Sequence, residues 1–314
     1  MTSIAIIGSG MIGQSWAICF ARAGFDVKLF DHVAGAAQSG HAAVHTTLSM
    51  LARSNLLQGQ TCDAVLARIR CAATLSKAVA DVVHVQENTP EHLDIKRSIF
   101  AELDAATPPD AVIASSTSAL LPSAFTEDLP GARRCLVAHP LNPPHLIPAV
   151  ELVPSAQTTP ATMAQTAALM RAAGQRPITV SREVAGFIMN RLQGAVLDEA
   201  MWLVTQGYAS VDDVDTAMRD GLARRWSFMG PFETIDLNAP GGIADFIARY
   251  GAAYAEIGAQ RPNRPDWTDA LSASIAADRR AALPLSALPA RADWRNARLA
   301  ALAAHFQDQD TPKE

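Results

Sequence analysis

Charge is scarce in this chain. Its 26 lysines and arginines and 31 aspartates and glutamates are 18% of 314 residues and leave a net charge of −5; about 25% is usual for a soluble protein. No long run of either sign occurs, so the basic footprint that nucleic acid demands is missing and no nucleic-acid partner is expected. Cysteine is sparse as well. Cys19, Cys62, Cys71 and Cys135 fit neither a small disulfide scaffold nor a paired CxxC metal site, and a reducing, cytoplasmic setting accommodates them most simply. Internal repeats and low-complexity tracts are absent. Apolar side chains are abundant at 49%, which excludes intrinsic disorder. The length corresponds to about two domains, enough for proper cores.

The stretch Met1–Ala21 carries no charged side chain and could pass for a signal peptide or anchor. It lacks a basic leader, and Gly8, Ser9, Gly10, Gly13, Gln14 and Ser15 interrupt it, whereas a membrane span needs about 20 predominantly apolar residues. A soluble, intracellular protein with no membrane partner is expected.

The first half alternates strand-like and helix-like segments. Strands are expected at Ser3–Ile7, Asp26–Phe30, Asp81–Gln86, Val112–Ala114 and Cys135–Ala138, and helices at Met11–Ala23, Ala36–Arg53, Cys62–Arg70 and about Glu91–Ala105. Such alternation argues for parallel strands covered by helices on both faces. From Val184 onward the pattern is helical: Ala185–Thr205, Val211–Leu222, Pro231–Tyr250 with a break at Asn238–Gly242, then Asp269–Arg280 and Trp294–His305. A loop is expected at Gln260–Asp266 and fraying at Gln307–Glu314. The reading is a Rossmann-type doubly wound α/β domain over residues 1–183, followed by an all-helical domain over residues 184–314.

Gly8-Ser9-Gly10-Met11-Ile12-Gly13 matches GxGxxG between a strand and a helix. Gly8 permits the tight turn, Gly10 lets backbone N–H groups approach a pyrophosphate, and Gly13 lets the helix pack close to the strand. The free N–H groups at Met11 and Ile12, with the helix dipole, favour a bound anion. Asp31 ends the second strand 18 residues after Gly13, where a carboxylate can bind a ribose diol and repel a 2′-phosphate, so NAD is favoured over NADP. A flavin uses the same fingerprint, and Asp31 could instead cap a turn.

Four polar residues stand where ligands bind in open parallel sheets, beyond the carboxyl ends of strands. Ser118 follows the Val112–Ala114 strand, His139 follows the Cys135–Ala138 strand, Glu151 closes an apolar stretch 12 residues later, and Asn190 interrupts a helical pattern. Each has an ordinary alternative: a structural histidine, a Ser118 cap, a Glu151–Arg182 pair, a solvated Asn190. His41 and His45 are four apart, but a third ligand is wanting and no metal is expected. No GxSxG elbow occurs, so Ser118 is a poor hydrolase nucleophile.

GSGMIG, SSTSALLPS, AHPLNPPHLIPAVELVP, GFIMNRLQ and MGPFET together resemble the 3-hydroxyacyl-CoA dehydrogenases over nearly the whole chain. VVHVQE, NRLQ and DGLARRW resemble the lambda-crystallin and L-gulonate 3-dehydrogenase branch of that superfamily. The resemblance implies an NAD-dependent oxidoreductase. In it His139 is the general base for a 3-hydroxyl, Glu151 holds the imidazole, and Ser118 and Asn190 bind the hydroxyl oxygen. It also implies that Glu87 and Lys96 lie near the nicotinamide ribose, that the site occupies an interdomain cleft reached by Asn190, and that the chain is a homodimer through its helical domain. Two substrate classes compete: a small 3-hydroxy acid such as L-gulonate or carnitine, and a 3-hydroxyacyl-CoA. Ala34–Leu57 holds one base, Arg53, where the acyl-CoA enzymes carry lysines for CoA. Arg225, in Arg224-Arg225-Trp226, could meet a free carboxylate. Both points favour the small acid; a non-catalytic, crystallin-like role is the remaining class.

Overall fold

The computed structural model describes residues 2–260 and 269–310. It resolves into two compact units, Met1–Asn190 with Arg291–Glu314, and Arg191–Ala290.

In the first unit the described residues form one eight-stranded sheet: β1 (Ser3–Ile7), β2 (Asp26–Phe30), β3 (Ile69–Cys71), β4 (Val82–Glu87), β5 (Val112–Ser115), β6 (Cys135–Pro140), β7 (Ala149–Pro154) and β8 (Arg176–Thr179), in the order β3-β2-β1-β4-β5-β6-β7-β8. Alternation along each strand builds two cores. Ile4, Ile6, Leu29, Val112, Leu136 and Leu152 face one layer, and Ala5, Ile7, Val85, Ile113, Val137 and Val153 face the other. The first layer packs against α1 (Met11–Arg22) and α2 (Ala36–Arg53), and takes in Val65 of α3 (Cys62–Leu66). The second is covered by α4 (Leu75–Val79), α5 (Leu93–Ala106) and α6 (Ser123–Thr126). Met170 of α7 (Pro160–Ala172) returns to the first layer.

The doubly wound arrangement agrees with the pattern read from the sequence, with three corrections. Residues 69–71, expected to be the end of a helix, add an edge strand parallel to β2, with Val27 N–H donating to Arg68 O at 2.9 Å; three residues are too few to show a period. Asp81 is left-handed (φ 53°) and precedes β4 rather than opening it. The sheet is not wholly parallel, because β6 and β7 are antiparallel. Only residues 141–148 join them, whereas a parallel return needs a crossover of about a dozen residues. β6 consequently runs through His139 instead of ending before it.

The second unit is helical: most of α8 (Met189–Thr205), then α9 (Val211–Thr216), a π-helical turn at Ala217–Leu222, α10 (Ala223–Trp226), α11 (Pro231–Asp236), α12 (Gly242–Ala259) and α13 (Asp269–Ala282). Ser210 and Asp213 form a reciprocal capping box at the start of α9. The last helix, α14 (Leu288–Asp310), departs from the expected domain assignment. Its Ala300 is buried in the first core layer with Leu299, Ala303 and Ala304 packed around it, so residues from 291 onward belong to the sheet unit. Gln307–Asp310, expected to fray, are helical. Most of the expected Gln260–Asp266 loop and the final four residues lie outside the described residues. No described helix is long and apolar enough to cross a membrane.

Candidate active site

The glycine turn joins β1 to α1 at the carboxyl edge of the sheet. Gly8 is left-handed (φ 91°), and a Cβ on Gly13 would come 1.9 Å from Gly8 O, so the third glycine is required by the packing of helix on turn. Gly10 is different: a Cβ there would meet nothing within 4 Å. Space lies open above the first turn of α1, where Met11 is exposed and the first N–H groups lack helical partners. A cavity of about 610 Å³ lies alongside, lined by Gly8, Gly10, Asp31, Asn88, Thr89 and Pro90 among others.

Asp31 is held at both oxygens. Ser9 N and Oγ donate to Oδ2 at 2.7 and 2.8 Å, and Val33 N donates to Oδ1 at 2.9 Å. Partial burial opposes its charge, but these hydrogen bonds outweigh it and hold the carboxyl below its ordinary range. An open glycine turn, a helix start and an ionised strand-end carboxylate on one cavity fit a dinucleotide.

Glu87 and Lys96 turn inward and do not line this cavity. They form a fully buried ion pair at 2.8 Å, and Ser115 Oγ donates to Glu87 at 2.6 Å. Thr89 N and Oγ1 also donate to Glu87, while Lys96 donates to Thr89 O at 2.9 Å. The pair therefore anchors the loop whose next residues form the cavity wall.

His139 and Glu151 are direct partners across β6 and β7. Their Nδ1···Oε2 distance is 2.7 Å, with His139 4% and Glu151 0% exposed, so Glu151 pairs with the imidazole and not with Arg182. The other oxygen, Oε1, accepts Ile188 N at 2.6 Å and Met189 N at 2.8 Å, the free amides at the start of α8. A carboxylate there is favoured by the helix dipole. The entry to α8 turns through two left-handed residues, Gly186 (φ 76°) and Phe187 (φ 49°). That backbone is unusual for a bulky side chain. Burial holds it, with the Phe187 ring 5.6 Å from the His139 ring. His139 Nε2 makes no hydrogen bond among the described residues.

One residue further on, Asn190 Nδ2 donates to Ser118 O at 2.7 Å. Ser118 is exposed, and its Oγ has no partner among the described residues. Thus His139, Glu151, Asn190 and Ser118 are linked through the first residues of α8. Asn190 belongs to the sheet unit, and its contact with Ser118 is internal to that unit. Arg225 lies on α10 of the second unit and is exposed. His41 Nε2 contacts Ile69 O at 3.0 Å, and no cluster of three or more potential metal ligands occurs among the described residues.

The sequence reading missed Ser9, Ser116 and Glu91. Ser116 Oγ accepts Trp16 Nε1 and Gln86 Nε2 and donates to Asn88 Oδ1. Glu91 accepts the Thr117 hydroxyl and the N–H groups of Ser118, Ala119 and Leu120. All three follow the carboxyl end of a parallel strand, the position that could have flagged them.

Residues 3–184 match the 3-hydroxyacyl-CoA dehydrogenase NAD binding domain, and residues 186–279 match the C-terminal domain of the same enzymes. The chain belongs to the 3-hydroxyacyl-CoA dehydrogenase family. It is an NAD-dependent oxidoreductase of CH–OH groups. This family member is 40% identical to lambda-crystallin of Oryctolagus cuniculus over 98% of both chains. It is 38% identical to an L-carnitine dehydrogenase of Pseudomonas putida over 80% of this chain and 77% of the relative. Among solved structures it resembles 5-formyl-3-hydroxy-2-methylpyridine 4-carboxylic acid 5-dehydrogenase, an NAD+-dependent dismutase, with a TM-score of 0.76, 27% identity and coverage of 86% and 84% of the two chains.

Proposed function

We propose that the protein oxidises the 3-hydroxyl of a small 3-hydroxy acid, with His139 as general base. The observation that carries this reading is the buried His139–Glu151 pair with Nε2 left without a partner. An ionised carboxylate only accepts, so Nδ1 carries the proton and Nε2 presents its lone pair. Nε2 takes the hydroxyl proton, and Glu151 steadies the imidazolium that results. A bound NAD would supply the acceptor for the hydride that leaves the substrate carbon. Gly8, Gly10, Met11, Ile12, Gly13 and Asp31 would hold it. Ser118 Oγ and the Asn190 amide orient the substrate oxygen. Because a proton is released, oxidation is favoured as pH rises.

The small-acid reading rests on the single base in Ala34–Leu57, a poor complement to the phosphates of CoA. The similarity to L-carnitine dehydrogenase supports the same class, since carnitine is itself a 3-hydroxy acid. A panel of L-gulonate, L-carnitine, other 3-hydroxy acids and acetoacetyl-CoA, followed at the NADH absorbance, tests it. Acetoacetyl-CoA reduction far above every acid oxidation overturns it. No turnover despite NAD binding favours the crystallin-like role.

We also propose a cytoplasmic homodimer formed through the second unit. Four free cysteines suit a reducing compartment. Phe228, Phe232, Leu237, Ile247, Tyr254 and Ile257 of that unit are each more than half exposed, and apolar side chains of this size are what a subunit contact covers.

A further inference from the structure

We propose that a second cavity of the sheet unit, completed by the start of α14, is the subsite for the substrate carboxylate, with Arg53 of α2 and Arg295 of α14 as its cationic groups. The proposal rests on the reading above that a small 3-hydroxy acid is oxidised at His139.

This cavity, of about 440 Å³, is walled by α1, α2, the loop after β6 and the start of α14. All of these belong to the sheet unit. Ala300, little more than a turn beyond Arg295, is buried in the first core layer and holds this end of α14 in place. One wall joins Met11, the first residue of α1, to Asn142 on the loop that leaves His139, and Asn142 Nδ2 donates to Met11 Sδ at 3.5 Å. The cavity thus adjoins both the glycine turn and the histidine strand.

Charge separates the two cavities. The cofactor cavity carries Asp31 and Glu102, and no lysine or arginine among its described lining residues. The second carries Arg53 and Arg295 against a single acid, Asp293, and none of these three makes an ion pair among the described residues. Arg295 Nε and Nη2 donate to Asn296 Oδ1 at 3.2 and 3.0 Å, a neutral acceptor that leaves the guanidinium charge uncompensated. A free carboxylate is therefore better placed in the second cavity, where an arginine can meet it with two parallel hydrogen bonds.

His145 is an independent sign of a ligand. It lines the same cavity and is 8% exposed, and neither ring nitrogen has a partner among the described residues. Burial and the Arg22 charge lower it to about 4, so near neutral pH it is an uncharged imidazole with one N–H to donate. Buried donors without acceptors are uncommon, and a carboxylate in the cavity supplies an acceptor. No Trp, Tyr or Phe is among the described lining residues, so the wall suits a carboxylate rather than a quaternary ammonium group.

The test compares a 3-hydroxy acid with its own amide, in the full chain and in Arg53→Gln, Arg295→Gln and Asp293→Asn. The ratio of kcat/KM for acid over amide should fall about tenfold or more in each arginine variant, with the loss in KM rather than kcat. It should rise in Asp293→Asn. All three residues are exposed, so Tm should stay unchanged. Butyrate, which has the carboxylate and no hydroxyl to oxidise, should bind the parent chain in ligand-observed NMR and bind about tenfold more weakly to Arg295→Gln. The proposal is overturned if the ratio holds in both arginine variants, if Arg225→Gln alone lowers it, or if butyrate binds parent and variant alike. Failure of the parent reading looks different. Neither acid nor amide would then be turned over, while butyrate binding would still depend on Arg295.

Discussion

Glu151 faces His139 directly across the antiparallel β6–β7 seam and shares its two oxygens between the imidazole and the start of α8. One buried carboxylate thus sets the orientation of the histidine and ties it to the helix that carries Asn190. The charge is tolerable in a fully buried position because three donors and a helix N-terminus satisfy it.

Replacing His139 with Gln keeps a side-chain N–H for Glu151 and removes the base. Turnover should fall by about 10²- to 10⁴-fold, while NAD affinity, measured by fluorescence titration, stays within about twofold, since the cofactor cavity does not include His139. Substantial residual activity would assign the base elsewhere.

The two helix-proximal glycines should separate folding from binding. Gly13→Ala puts a Cβ 1.9 Å from Gly8 O and should yield unfolded or strongly destabilised protein, whereas Gly10→Ala meets nothing within 4 Å. Gly10→Ala should therefore keep its thermal midpoint and lose NAD affinity by at least about tenfold, through a methyl group in the phosphate path. Normal NAD binding by Gly10→Ala would move the pyrophosphate away from this turn.

Asp31→Ala should weaken NAD and narrow its advantage over NADP. Asp31 and Glu102 are the charged carboxylates on the cavity wall, and no lysine or arginine is among its described lining residues. With Asp31 held below the ordinary carboxylate range, its own contribution to NAD affinity should not change between pH 8 and pH 5. The ratio of kcat/KM for NAD and NADP is the measurement, and an unchanged ratio would remove Asp31 from the ribose.

Acid should destabilise the fold through two buried histidines. Burial lowers His84 to about 4, against a partly compensating bond to Gln86, and burial together with the Arg22 charge lowers His145 to about 4. A folded-state value below the unfolded value of about 6.5 means that the unfolded chain takes up protons first. The stabilisation is complete above about pH 6.5 and is lost as pH falls towards 4. At about 1.4 kcal/mol per pH unit, each histidine accounts for a loss of roughly 3 kcal/mol. Urea midpoints at pH 7.5 and pH 5 should show the fall, and His84→Gln should diminish it. A flat profile would mean that neither histidine is held neutral.

Light scattering should report twice the chain mass at micromolar concentration. Phe232→Glu with Ile247→Glu, both exposed in the second unit, should shift the protein to monomer without unfolding it. A native monomer would leave that apolar surface to some other partner.

The fingerprint and the doubly wound pattern were legible because both are local. Gly8, Gly10 and Gly13 answer to one turn and one helix, and the apolar runs of β1, β2, β4, β5 and β6 are long enough to read. The edge strand at Ile69–Cys71 was hidden by its length, and the return of α14 to the sheet by its distance along the chain. The reversal at β7 was accessible in principle, since residues 141–148 are too few for a crossover helix.

For the site, the sequence alone determined which residue types stand at the carboxyl edge of the sheet: an acid at 31 and a serine at 118 beyond strand ends, and a histidine at 139 near the end of its strand. Tertiary structure decided how their hydrogen-bonding capacity is used. It spends both oxygens of Glu151 on His139 and α8, closes Glu87 and Lys96 on each other, and brings Glu91 to the Ser118 loop. Hydrogen bonds and ion pairs are directional and span a few ångströms. Their partners, 9 to 72 positions apart here, meet only when the strands and the start of α8 are in register.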